Sequence, residues 1–494
     1  MRKYAILKFF VYTFITLLIL FISKDYTSSM SLLDDHNKKV DQIALQIKLY
    51  TSKSSKTIRF SHGSTNSTRV QDKSNSHLID ISSLNEIIKI DKVKNIAVVE
   101  PNVSMDKLVE ACLMRGVVPK VVMEFPGITN GGGINGAALE ASSFKYGQFN
   151  DTCTLYEFVL GNGEVVTANK KKNPDLFYGI SGSYGTIALL TLITLELIPT
   201  KPYVNVSFTP IKTVSIIDVI SKKSQNRYDY IEGLVFDKEN SILITGSISE
   251  KADFAIKTFS KARDEWFYIY AEKQLKQGSE THILVPIKDY LFRYNRGAFW
   301  MGKYAFKMFH IPFNSTTRFI LNPLMNTRTM YKGLHATNIA QSFFIQDFYI
   351  PLSQANKFLN LSINSLGIFP LWLCPVKSTN QSQKLSPHYL KESMLIDFGV
   401  WGNPTNKKIE IEKLNKEFEK HVVKIKGRKM FYADSFYSEE KFWSIYNREW
   451  YLNLRKKYGA QGVFPNIWQK VHTHKKYKIH KWKIIKTIIE VLIQ

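Results

Sequence analysis

Gly131-Gly132-Gly133-Ile134-Asn135-Gly136 sets four glycines in a six-residue run and satisfies the G-x-G-x-x-G pattern literally. Glycine reaches positive φ without a Cβ penalty and lets backbone close on a ligand, and successive N–H groups then form a nest for anionic oxygens. Two other stretches have the same capacity. One is the polar run Ser61-His62-Gly63-Ser64-Thr65-Asn66-Ser67-Thr68, and the other runs from Gly182 through Gly185 to Thr186. Each alone reads as an ordinary turn. Three of them, ordered strand–loop, loop–helix and loop–strand, can wrap one dinucleotide with main-chain donors.

The elements that carry these loops exclude the commonest use of the glycine pattern. A Rossmann unit needs a βαβ crossover and an acidic residue at the end of the next strand to hold a ribose. Here the acid in range, Asp151, precedes the strand Thr154–Leu160. That strand ends in Gly161-Asn162-Gly163, a hairpin signal leading antiparallel into Glu164–Ala168. Upstream, SMDKLVEACLMRG predicts a helix with Ser104 at its N-cap and Gly116 as its stop, and DDHNKKVDQIALQIKLY has amphipathic helical spacing after a linker at Met30–Asp35. From Pro202 the texture changes to strands (YVNVSF, YIEGLVF, SILITGSI) alternating with amphipathic helices, a second, mixed α+β unit.

At 494 residues the chain exceeds one ordinary core, and a hydrophobic share of 44% with 13% aromatics is that of a folded protein. Cys112, Cys153 and Cys374 are widely spaced and odd in number, so they give neither a disulfide framework nor a metal cluster. The 11 histidines fall into no H-E-x-x-H or other ligand spacing, so no metal is expected. The net charge of +25 suits an anionic membrane surface or compositional drift; no helix-turn-helix, RRM or zinc-finger pattern supports a nucleic-acid partner.

The order of the loops resembles the FAD-binding domain of the vanillyl-alcohol-oxidase, or PCMH, type. The matching pieces are Arg59 to Ser67, Gly131 to Gly147 with Tyr146-Gly147, and Gly182 to Gly185. The resemblance implies an α+β fold: a PCMH-type flavin domain of two α+β subdomains (36–200), then a mixed α+β substrate or cap domain (201–470) whose C-terminal part returns to the flavin. Many members carry a flavin-linked histidine in the first loop. Here Asn66 falls at that position and His62 comes three or four residues early, so non-covalent FAD is expected. The expected flavin-contacting residues are Ser61 to Thr68, Gly127, Thr129, Asn130, Gly131, Gly132, Gly133, Gly136, Ser142, Ser143, Tyr146, Gly147, Gly182, Gly185 and Thr186.

Within this class the chain is similar to the Δ24-sterol reductase (24-dehydrocholesterol reductase) family. Distinctive stretches include VEPNVSMDKL, ALEASSFKYGQFNDTCTLYEFVL, DLFYGISGSYGT, QDFYIPL, FPLWLCP, IDFGVWGNP and FYADSFYSEEKFW. The departure is the first loop, where SHGSTNST is unlike the usual animal sequence. The resemblance implies that NADPH reduces FAD and that reduced flavin saturates the C24=C25 bond of a sterol side chain.

An unactivated alkene accepts hydride only with help, so such a site needs a positioned acid and a dry apolar slot. Acid candidates in the family-like stretches are Tyr432, Asp434, Asp347 and Glu232, with Asp397 beside them; Phe343, Phe344, Phe348, Trp372, Trp401, Phe431 and Tyr437 are candidate slot residues. Arg293 and Arg296 are candidates to balance flavin charge or to bind an NADPH phosphate. An FAD-linked oxidase or dehydrogenase of an alcohol or sugar, using oxygen or a quinone, is the alternative.

The ends suggest a membrane. Phe9 to Ile22 is uncharged and apolar behind Arg2, Lys3 and Lys8, and FISKDYTSSM lacks a small-x-small cleavage site. The expectation is a single-pass anchor at 1–24 in an endoplasmic-reticulum-like or inner membrane. Use of NADPH would then put the catalytic domain on the cytoplasmic face. A basic amphipathic tail is expected at 471–494.

Overall fold

Strand alternation in the second half of the chain builds the wall on which the site rests. The strands run, from one edge, Thr281–Pro286, Tyr203–Lys212, Asn240–Ser249, Tyr230–Val235, Leu371–Lys377, Met394–Gly402, Phe344–Pro351 and Arg428–Lys429. Each pairing is antiparallel. Successive residues point to opposite faces, and here both faces are covered. Phe348, Ile350, Leu371, Leu373, Ile396 and Phe398 enter one core with the helices Ile216–Lys223, Leu352–Leu366 and Ile411–Lys424. Tyr349, Trp372, Cys374 and Trp401 enter a second core, shared with the N-terminal half.

This arrangement belongs to a computed structural model that describes residues 30–51, 56–63, 66–70, 76–250, 253–379, 381–405, 410–474, 476–480 and 483. Its N-terminal half contains two units. A six-stranded antiparallel sheet is centred on the long strand Leu189–Pro199, which pairs with Ile96–Val99, Cys153–Val159 and Val117–Pro119. Strand Cys153–Val159 turns through Gly163, at φ +81°, into Val165–Asn169, the hairpin that the Gly-Asn-Gly signal predicts. The second unit joins a parallel pair, Thr57–Ser61 with Ser76–Asp80, to a helix over 30–51. Ile43, Ile47, Ile58 and Ile79 pack there against Val463 and Phe464, brought back from the far end of the chain. The whole is a mixed α+β architecture, a flavin-type domain with a cap.

Arg455 fastens that return. It is buried, and its guanidinium donates to the carbonyls of Ala460, Phe464 and Pro465 at 2.9, 2.7 and 3.0 Å, and to that of Thr186 in the third glycine loop. Gly161 touches the Gly459 carbonyl so closely that no Cβ fits between them.

Two expectations need correction. Met30–Asp35 is helix rather than linker, continuous with the amphipathic segment behind it. No helix among the described residues is long and apolar enough to cross a membrane. The expectation of a single-pass anchor, with the transmembrane, membrane-located and cytoplasmic-facing assignments built on it, is corrected accordingly: none of the described helices is such a span. Segment 1–24 lies outside the described residues, as does 484–494 of the expected tail.

The helix over 30–51 is tied down by His36, whose Nδ1 lies 2.8 Å from Glu100 Oε1 and whose Nε2 lies 3.0 Å from Glu157 Oε1. Burial pulls the imidazole pKa down, but the two carboxylates outweigh it and hold it raised at about 9. A raised histidine contributes its full stability below the unfolded value near 6.5 and loses it as pH climbs through the folded one. Denaturant unfolding should show stability falling between about pH 6.5 and 9, and His36→Gln should flatten that slope. A wild-type slope unchanged in the variant would refute the assignment.

Candidate active site

The second glycine loop is held by its own side chains. Thr129 caps the short helix Asn130–Gly136 by accepting from Gly132 N at 3.2 Å, and the buried Asn130 amide donates to Val103 O at 2.7 Å. Gly131 N donates to Pro101 O at 2.8 Å, and a Cβ on Gly131 would lie 2.6 Å from Pro101 Cβ. Gly133 has Met123 pressed against it. Gly136 differs, because a Cβ there would meet no protein atom within 4 Å. It lines the cleft, so its missing side chain keeps that space open.

Asn135 stitches the second loop to the third. Its Oδ1 accepts from Gly185 N at 2.8 Å and from Ser183 Oγ at 3.1 Å, its carbonyl accepts from Tyr184 N, and its amide donates back to Gly131 O at 3.0 Å. The third loop needs this help: Gly182, Tyr184 and Gly185 all have positive φ, and Tyr184 has a Cβ to strain there.

The first loop is held by the returning chain. Ser67 Oγ donates to Tyr432 O at 2.7 Å, and the Thr68 and Arg69 N–H groups reach the same carbonyl at 3.0 and 3.1 Å. Arg69 Nε donates to Phe431 O and its Nη1 to Lys470 O, each at 2.8 Å. The Tyr184 hydroxyl accepts from Phe431 N at 2.8 Å. The first and third loops thus converge on Phe431–Tyr432, and Asn135 joins the second to them.

They enclose one cleft. Its loop side is lined by His62, Asn66, Ser67, Thr129, Gly131, Gly132, Gly133, Asn135, Gly136 and Gly185, with the cations of Arg69 and Lys470 beside them. Ile81, Pro101, Ile128, Ala138, Leu139, Leu189 and Leu190 supply apolar flanks. The far wall comes from the large sheet and its neighbours: Glu124, Tyr331, Asp347, Trp372, Trp401, Met430 and Tyr432. Glycine-lined backbone that allows close approach, two cations, apolar flanks and an open glycine fit a flavin dinucleotide.

The far wall holds protons. Burial raises the Asp347 carboxyl to about 7, against the opposing pull of the Trp401 indole N–H, 3.3 Å from its Oδ1. Burial, then the charges of Glu140 and Asp347, raise Glu124 to about 8. The Tyr432 hydroxyl feels the Asp347 charge but misses full hydrogen-bond geometry with it, and is otherwise unpartnered. Behind them Asp397, wholly buried, has no hydrogen-bond partner for either oxygen.

Known proteins share this chain's pattern. A family model described as an FAD binding domain matches residues 37–169. The Δ24-sterol reductase of Homo sapiens is 28% identical over 449 residues, covering 88% of this chain and 86% of that protein. The Δ24-sterol reductase of Arabidopsis thaliana is 29% identical, covering 79% of this chain and 76% of its own length. A Δ24-sterol reductase homologue of Caenorhabditis elegans is 26% identical, with 81% and 79% covered. The chain is a homologue of the Δ24-sterol reductases. The similarity runs over both halves of the chain rather than over the FAD binding domain alone.

Several expected residues stand behind the cleft instead of in it. Gly127 abuts the Arg328 side chain, Ser142 Oγ donates to Lys120 O, and Ser143 Oγ accepts from Glu140 N. Tyr146 lies under the Lys120 and Lys145 ammonium groups, Gly147 turns the chain at φ +77°, and Gly182 presses on the Leu385 carbonyl. Thr186 joins Ser183 O to the Tyr451 hydroxyl, while Ser61, Gly63 and Thr68 flank the first loop without lining the cleft. Ser64 and Thr65 lie outside the described residues.

Among the acid candidates, Glu232 is corrected to a structural carboxylate. It accepts from Arg293 Nε at 2.8 Å, from Arg293 Nη2 and Tyr294 Oη, and from Trp372 Nε1 at 2.7 Å, and does not line the cleft. Asp434 turns to Thr473, 2.9 Å away. Arg293 is consumed by Glu140 and Glu232, and Arg296 by the carbonyls of Phe259, Ala262 and Asp264, so neither meets the cleft. Of the slot candidates, Trp372 and Trp401 line the cleft. Phe344 and Phe348 face the helical layer on the opposite side of the sheet, Phe343 packs on Tyr304, and Phe431 and Tyr437 are core.

Sequence reasoning missed Arg69, Glu124, Asn135, Tyr184, Tyr331 and Lys470. Asn135 was within reach, as the one polar side chain inside the glycine run. Lys470 had no signal, since it arrives from nearly 300 residues beyond the loop it adjoins.

Asn135→Ala removes the acceptor of two loop donors, and stranded donors cost about 1–3 kcal/mol. FAD affinity, read by flavin fluorescence titration, should fall roughly 5- to 150-fold. Gly136→Val should abolish FAD uptake while leaving the thermal midpoint of the apoprotein within about 2 °C, because its side chain meets only open space. Full flavin loading of Gly136→Val would rule out this cleft.

Proposed function

We propose that the chain reduces the C24=C25 double bond of a sterol side chain, using FAD held non-covalently in the cleft and NADPH as electron donor. The observation that carries this reading is Asp347: a carboxyl on the apolar wall of the flavin-type cleft, raised to about 7 and so able to keep a proton near neutral pH. The identity of the relatives supports the substrate class.

Bound FAD, reduced by NADPH, would supply the hydride. The chain's own residues do the rest. The Arg69 and Lys470 cations beside the glycine loops would hold the diphosphate and balance its charge. Trp372, Trp401 and Tyr331 form a dry wall for an aliphatic side chain and withhold water from the positive charge that develops at C25. Asp347 gives its proton to C24, and Trp401 N–H steadies the carboxylate left behind. Buried aromatic walls and a carboxyl that stays neutral suit alkene protonation better than alcohol oxidation, which needs a base.

Purified protein loaded with FAD should convert desmosterol and NADPH to the saturated sterol, detected by mass spectrometry. Flavin reduced rapidly by an alcohol or sugar but not by NADPH would favour the oxidase instead. If Asp347 is the acid, turnover falls as pH rises past about 7, and Asp347→Asn loses about 10²–10⁴-fold in kcat. Stability moves the other way. A carboxyl whose folded pKa is raised destabilises the fold as pH climbs from about 4 through 7, so Asp347→Asn should be more stable than the parent at pH 8. A flat pH profile together with a fully active variant would remove Asp347 from the reaction.

A further inference from the structure

Asp397 sits one register step from Asp347 on the neighbouring strand. Asp347 pairs with Gly399 and Tyr349 with Asp397, so the two aspartates occupy diagonal positions on one face of the sheet. Diagonal neighbours on an antiparallel pair are about 7–8 Å apart, within reach of polar side chains that lean together. The position between them is Gly399, where a Cβ would lie 3.1 Å from Asp347 Oδ1 and 3.2 Å from Trp372 Cβ. Glycine there leaves the two carboxyls nothing to cross.

The titratable groups that face Asp397 are Asp347 and Tyr349 on one neighbouring strand, Cys374 on the other, and Glu124 and Tyr432 from the loops above. None is a cation. The buried cation of this region, Arg293, is taken up by Glu140 and Glu232. Burial first, then the charges of Asp347 and Glu124, push the Asp397 carboxyl well above its usual range. Its two oxygens are fully buried with no partner, a standing cost that an apolar residue of similar size would avoid.

An unsatisfied buried donor has a use if its acceptor appears only during turnover. We propose that Asp397 is the positioning residue of the acid: it keeps its own proton throughout and donates a hydrogen bond to the Asp347 carboxylate when Asp347 gives its proton to the substrate. This rests on Asp347 being the acid. The proton count closes simply. Asp347 O–H breaks as C24–H forms, the Asp397 O–H turns toward the new anion without transferring, and Asp347 regains a proton from water through the cleft once product leaves. The arrangement is electrostatic preorganisation, with the dipole in place before the charge exists.

Asp397→Leu deletes the donor and Asp397→Asn keeps one. In the FAD-loaded enzyme, Asp397→Leu should lower kcat about 10- to 100-fold, with KM for the sterol little changed. Without the hydrogen bond to its anion, Asp347 ionises less readily, so the alkaline limb of the rate profile should move up by about one pH unit. The thermal midpoint of Asp397→Leu should be equal or higher, a combination that a merely structural residue does not give. Asp397→Asn should recover part of the rate.

Infrared difference spectra of FAD-loaded protein at pH 7 should show a buried protonated carboxyl band that Asp397→Leu removes. That readout does not depend on which residue is the acid. An ionised Asp397 in the spectrum, or Asp397→Leu with the parental rate and pH limb, overturns the proposal. A fully active Asp347→Asn overturns the acid assignment beneath it instead.

Discussion

Two adjacent backbone carbonyls, those of Phe431 and Tyr432, hold the site together. The Tyr432 carbonyl takes three donors from the first loop, and the Phe431 peptide takes one from Arg69 and gives one to Tyr184. Main-chain groups in a buried place must be paired, and here the pairing of one element completes the geometry of two others. The same residues deliver the Tyr432 ring to the far wall, where it lies 5.9 Å from Trp401. The wall of the cleft and the hold on its loops are therefore set by one turn, and neither half of the chain owns the cleft.

The charge distribution on the inner face of the large sheet is uneven, and that asymmetry separates structure from chemistry. Glu232, toward the centre of the sheet, meets Arg293, Tyr294 and Trp372, and every lone pair that matters is used. On the same face, two and three strands away, Asp397 and Asp347 meet no cation. A buried ion pair with good geometry stays ionised, whereas buried carboxyls without a counter-charge stay neutral. Of these three buried carboxyls on one face, Arg293 reaches Glu232 alone, and burial without a counter-charge raises the other two.

Much of the fold was legible because its signals are local. The Gly161-Asn162-Gly163 turn named the hairpin, the hairpin excluded a Rossmann crossover, and the three polar or glycine-rich loops named the cradle. The site was legible only in part. The glycines that line the cleft, Gly131, Gly132, Gly133, Gly136 and Gly185, came from pattern, as did Trp372, Trp401 and Asp347 from the family-like stretches. Ser142, Ser143 and Thr186 carry the same polar types but serve neighbouring backbone, and residue type alone does not say which way a hydroxyl turns. Glu232 looked equal to Asp347 in sequence because the distinction lies in a partner 61 residues away. The expected anchor is corrected by the described helices, none of which is long and apolar enough to cross a membrane, and its own segment, 1–24, lies outside them.

The fastening by Arg455 has a bearing on how the molecule is made. A nascent chain that has just emerged past Ile198 already has its glycine loops and most of one sheet, yet the Thr186 carbonyl, the Gly161 turn and the Ile58 strand are still waiting for residues 455–464. The first-made unit is thus finished by a segment made more than 250 residues later. Its apolar faces stay uncovered until that segment arrives, so the molecule does not assemble one domain at a time.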